Sequence, residues 1–97
     1  MRTVKINNKD YEVVFGYRVM KKLSESGVNL ENISSLSDMH MAALFSINEG
    51  LRRNKGDAIT SEWLEDEIDK NPIILKEIQE AIGEQMETFV ESFEGGK

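Results

Sequence analysis

The 97-residue chain contains no cysteine, which removes disulfide staples, thiol catalysis and every zinc site built on thiolates, and points to a reducing compartment. It has a single histidine, His40, so a Ser-His-Asp or Cys-His constellation would have to be assembled around that residue, and no nucleophile elbow is present. The scattered glycines never form a phosphate-cradling loop. No apolar run approaches the roughly 20 residues of a membrane helix, and the opening Met1-Arg2-Thr3-Val4-Lys5-Ile6 lacks the apolar stretch of a secretory signal. Positive charge is also scarce: 12 Lys and Arg against 18 Asp and Glu give a net charge of −6, which disfavours attraction to phosphate backbones or anionic lipid. These absences predict a cytoplasmic chain with no cofactor, no metal, and neither nucleic acid nor membrane as partner.

Hydrophobic residues make up 39% of the chain and charged residues 31%, a balance suited to one small globular domain, residues 1–97, with a thin core. Val4 and Ile6 lead into Asn7-Asn8-Lys9-Asp10, and Tyr11, Val13 and Phe15 follow at period two. That pattern predicts a hairpin over about 3–15, with strands near 3–6 and 11–15 joined by a four-residue link. From Tyr17 the spacing changes to Val19, Met20 and Leu23, an amphipathic helix near 17–26, with Gly27 where a left-handed C-terminal cap falls. A second helix is expected near 38–54, with Ser37 as N-cap, Asp38 in the first turn, Arg52, Arg53 and Lys55 in the last and Gly56 after it. Thr60 or Ser61 caps a third helix through Lys70, carrying Trp63, Leu64 and Ile68. Asn71-Pro72 opens a fourth, near 72–94, because proline at the first helical position gives up a donor that would be unpaired anyway. The fold class expected is α+β and mostly helical, an N-terminal β-hairpin followed by about four helices, the last long and amphipathic.

Little of this sequence points to catalysis. His40 projects between Ile47 and Leu51 on the apolar side of its helix, the position of a satisfied structural histidine rather than a proton carrier. Glu65-Asp66-Glu67 and Asp69 lack the alternating oxygen ligands and central glycine of a calcium loop and read as a solvated helix face. Trp63, beside two aliphatic residues, reads as core volume. Charge is segregated: residues 1–56 carry nine Lys or Arg and six Asp or Glu, a net of +3, while residues 57–97 carry three and twelve, a net of −9. Such asymmetry steers a basic partner or keeps an adhesive helix in solution.

The last helix says most. At 100° per residue Ile74, Ile78, Ala81, Ile82, Met86, Phe89, Val90 and Phe93 fall in an arc of roughly 180°, and Glu77, Glu80, Glu84, Glu87, Glu91 and Glu94 in an opposite arc of about 100°. A helix docked on one side of a small domain needs a stripe somewhat over 100°, so half a cylinder suggests two packing partners. Exposed apolar surface of that kind marks a binding site in soluble proteins. Two readings follow: a domain with so thin a core encloses the whole arc, or Ile82, Met86, Phe89, Val90 and Phe93 form a partner-binding edge, with Phe and Met as adaptable anchors and the glutamates discouraging wrong partners; the second is the site expected here.

The stretch from Ile6 through Arg18, then Met20-Lys21-Lys22-Leu23 and Gly27-Val28-Asn29-Leu30, resembles the opening of tail assembly chaperones from siphophages and prophages of Gram-positive bacteria. Those proteins often begin with a short hairpin, a phenylalanine, a helix and a Gly-x-Asn-Leu exit, and the later helices are similar in length and order. Asn8 and Asp10 stand where Gly and Glu are frequent in the family, and Ser24 where an acidic residue is usual. The resemblance implies a non-enzymatic helper in virion morphogenesis. It would bind the tape-measure protein and tail-tube subunits in the cytoplasm of the host cell and be absent from the mature virion. Self-association into a homo-oligomer remains open beside it, and the family offers no binding motif that assigns residues. The alternative reading is a small acidic phage-borne inhibitor, a nucleic-acid mimic that occupies a basic groove of a host enzyme.

Overall fold

In a computed structural model of the chain, residues 2–30, 32–33 and 35–95 are described, the side chains of residue 2 and of residues 89–95 excepted. A two-stranded antiparallel hairpin is followed by four helices. Strand β1 (Arg2–Ile6) pairs with β2 (Lys9–Val13) so that Val4 faces Tyr11 and Ile6 faces Lys9. The link is two residues long rather than the four expected: Asn7 and Asn8 both take left-handed backbone, φ 53° and 65°. Positive φ at both central positions is the mirror-image turn whose twist matches the strands it joins, and asparagine tolerates it. Lys9 and Asp10 therefore belong to β2, where Asp10 stands opposite Lys5 at 4.0 Å. β2 ends at Val13 instead of Phe15 because Arg2, the first residue of β1, is the partner of Val13.

Val4, Ile6, Tyr11 and Val13 alternate inward and are buried. Helix α1 (Tyr17–Glu25) adds Val19 and Leu23 to the same core. It ends as expected, with Gly27 at φ 88° and Val28 N–H donating to the Leu23 carbonyl at 3.0 Å. Helix α2 (Leu36–Arg53) starts two residues before the expected point, and Ser35, not Ser37, is its cap: the Ser35 hydroxyl accepts from Asp38 N–H at 3.1 Å. Ser35-Leu36-Ser37-Asp38 has the Ser-x-x-acid spacing of a capping box. At the far end the left-handed residue is Lys55, φ 59°, while Gly56 N–H donates to the Leu51 carbonyl at 2.8 Å. Thr60 caps α3 (Ser61–Lys70) through Trp63 N–H at 3.1 Å. Pro72 immediately precedes α4 (Ile73–Gly95).

Ala42, Ser46 and Gly50, four residues apart on α2, form a stripe of small buried residues against the hairpin. Spacing of four keeps them on one face, and small side chains let helix and strand backbones approach closely. Val14 N–H donates to the Ser46 carbonyl at 3.2 Å, and a Cβ at Gly50 would collide with the Glu12 carbonyl oxygen. The Ser46 hydroxyl returns to the Ala42 carbonyl at 2.7 Å, so burying it leaves no donor unpaired. α4 crosses the other side of the core, contributing Ile74, Ile78, Ala81 and Ile82.

Candidate functional site

Along α4 the apolar series divides. Ile82 is 3% exposed and packs inside the core with Ile74, Ile78 and Ala81, so its expected role as a partner anchor is replaced by a structural one. Those four residues span about 100° of the helix, the width a single packing face requires. Met86 is half-buried at the margin of the core. Phe89, Val90 and Phe93 lie outside the residues whose side chains are described, although the helical backbone continues through Gly95. On the opposite face Glu80, Glu84 and Glu87 are exposed and Glu77 is half-buried.

Gln85 falls in the middle of the apolar arc, and its placement has a reason that periodicity alone did not supply. Its amide donates to the Val13 carbonyl at 2.7 Å and accepts from Phe15 N–H at 2.8 Å. The side chain thus takes the place of a strand partner where β1 no longer reaches β2, and satisfies two backbone groups that would otherwise be stranded. A lone amide at the centre of an apolar stripe was the signal available for it.

A second cluster went unread in the sequence. The Glu49 side chain is 3% exposed, yet it is ringed by cations. Arg52 grips it with two bonds, Nε to Oε1 at 3.0 Å and Nη2 to Oε2 at 2.9 Å. Arg53 Nε reaches Oε2 at 3.1 Å, and Arg18 of α1 lies 3.8 Å away. The hydrogen bonds from Arg52 overcome the upward push of burial and, with those from Arg53, pull the Glu49 carboxyl down to about 2. A group so firmly ionised holds no proton to transfer near neutrality, so the cluster fastens α1 to the end of α2 rather than serving acid–base chemistry. Glutamate three and four residues before two arginines was the overlooked sign.

His40 is half-buried, and its Nε2 lies 2.8 Å from the Ser61 hydroxyl, joining α2 to α3. Trp63 packs at a tilt against Tyr11, ring centroids 5.8 Å apart, filling the space between α3 and the hairpin. Glu65, Asp66 and Asp69 face solvent as expected, but Glu67 does not: it is 7% exposed, with Lys70 3.5 Å away. Burial requires such a partner for the charge. Among the described residues no three His, Cys, Asp or Glu side chains are grouped to hold a metal ion, and no buried side-chain polar atom lacks a hydrogen-bond partner. Among the described residues no helix is long and apolar enough to cross a membrane.

One groove of about 400 Å³ opens where the start of α2, the end of α3 and the start of α4 meet, lined by Leu36, Ser37, His40, Glu65, Ile68, Asp69 and Leu75. Compared with known proteins, the chain matches no family model, no curated protein and no solved structure.

Proposed function

We propose that the chain is a non-enzymatic tail assembly chaperone that binds the tape-measure protein and tail-tube subunits through the C-terminal part of α4. It would act in the host cytoplasm and be left out of the finished virion. The observation that carries this reading is the mismatch between the apolar series of α4 and the core it serves. Ile74, Ile78, Ala81 and Ile82 are enclosed by the domain itself, Met86 sits at the margin, and the sequence then places Phe89, Val90 and Phe93 over the next two turns. Gln85 is docked at the end of β2, and at about 1.5 Å per residue the helix backbone runs roughly 15 Å beyond it to Gly95. Methionine and phenylalanine repack against many registers of a long amphipathic client, with modest affinity per contact, and an acidic face limits wrong partners. Release would come from competition by polymerising tube protein, since the chain has no phosphate-cradling loop.

The test is co-purification with a tape-measure fragment. Replacing Phe89→Ser together with Phe93→Ser is expected to abolish capture while thermal unfolding stays cooperative. Undiminished capture by the double variant would refute the α4 edge as the site.

A further inference from the structure

We propose that the groove between the start of α2, the end of α3 and the start of α4 docks a basic amphipathic helix of a partner polypeptide. The inference is independent of the α4 edge. Leu36 is 73% exposed at the first position of α2, the most exposed large apolar side chain among the described residues. A solitary exposed leucine needs no explanation. This one overhangs a groove to which half-buried Ile68 and Leu75 also contribute, so three aliphatic side chains converge on one open space of about 400 Å³. That volume is at the low end of ligand sites, about 300–1,000 Å³, and open enough for the ridge of a helix.

The rim selects the charge of the occupant. Glu65 and Asp69 also line the groove, four residues apart on one face of α3, and neither carboxylate has a hydrogen bond or ion pair among the described residues. Like charges at that spacing repel on a helix, a repulsion that a cation placed between them relieves. His40 also lines the groove, but its Nε2 is turned to Ser61, and no ion pair joins it to either carboxylate among the described residues. An incoming helix with a leucine-type anchor and a Lys or Arg one turn away meets both features, since one helical turn is about 5.4 Å and the two carboxylates are themselves one turn apart. A second copy of this chain is a poorer occupant, because it brings a net charge of −6 to an acidic rim.

The proposal is tested by titrating the full chain with a designed helical peptide bearing Leu at i, i+3, i+4 and i+7 flanked by Lys, and with a counterpart in which Glu replaces Lys. The Lys peptide is expected to bind, less tightly as salt rises, and the Glu peptide not to bind. Leu36→Ser, and separately Glu65→Gln with Asp69→Asn, should each weaken binding about tenfold. Glu62→Gln with Asp66→Asn, which removes the same charge from a neighbouring face of α3, should change it less than about twofold. All five positions are exposed, so each variant should retain the wild-type melting transition. The proposal is overturned if the Glu65/Asp69 variant or the Leu36 variant binds normally, if the Glu62/Asp66 pair weakens binding equally, or if the Glu peptide binds as well. It is also overturned if the chain alone is a dimer that Leu36→Ser dissociates, because a second copy would then fill the groove.

Discussion

The close approach of α2 to β2 at Gly50 can be tested by adding a single methyl group. At Gly50 the backbone of α2 lies against β2, and an added Cβ would collide with the Glu12 carbonyl oxygen and come within 3.1 Å of its carbon. Both obstacles are main chain, so no side chain can swing aside, and the helix must move away from the hairpin. Gly→Ala in a helix interior normally gains about 1 kcal/mol of helix propensity. Overpacking in a well-packed core loses about 1–3 kcal/mol, toward the upper end where rigid backbone is the obstacle. Gly50→Ala should therefore be destabilising by at least about 1 kcal/mol, a fall in Tm of about 4–8 °C per kcal/mol for a domain of this size. Gly83 in α4 supplies the control. It is exposed, nothing lies within 4 Å of its added Cβ, and Gly83→Ala should gain nearly the full 1 kcal/mol. Urea denaturation with matched m-values measures both. If Gly50→Ala stabilises as Gly83→Ala does, the close packing of α2 on β2 is wrong.

Two further predictions concern α2. Because the folded carboxyl of Glu49 sits at about 2, below its ordinary 4.5, its contribution is fully present above about pH 4.5 and is lost as pH falls through 2. Glu49→Gln should lower stability at pH 7 by about 2 kcal/mol and flatten the acid limb of stability against pH between 4.5 and 2, as read by denaturation at a series of pH values; an unchanged limb would contradict the cluster. Lys55 holds the left-handed position after α2, φ 59°, and Lys55→Gly should raise stability by about 0.5–1 kcal/mol in the same assay, whereas a loss would mean the helix ends otherwise.

The domain's own core and the proposed client edge divide α4 between them. The first half of that helix is committed to the domain's own core, which accounts for Ile74, Ile78, Ala81 and Ile82 without any partner. The proposed client surface is correspondingly smaller than half a cylinder of helix, and it excludes Ile82.

The order of elements was legible in the sequence because each rests on local physics: period-two alternation in the hairpin, period-3.6 alternation in the helices, and Gly27 at a left-handed cap. The boundaries that moved did so for local reasons as well, two asparagines sharing a two-residue turn and Ser35 with Asp38 forming the cap that had been given to Ser37. The remainder was decided only when distant segments met. Gln85 completes a strand more than 70 residues away in the chain, Glu49 is tolerable in the interior only because Arg18 and its own helix end surround it, and Ile82 is core because β1 and α2 close over α4. Helical periodicity states that a face is apolar. What covers that face is a property of the whole tertiary arrangement, and no local rule of sequence contains it.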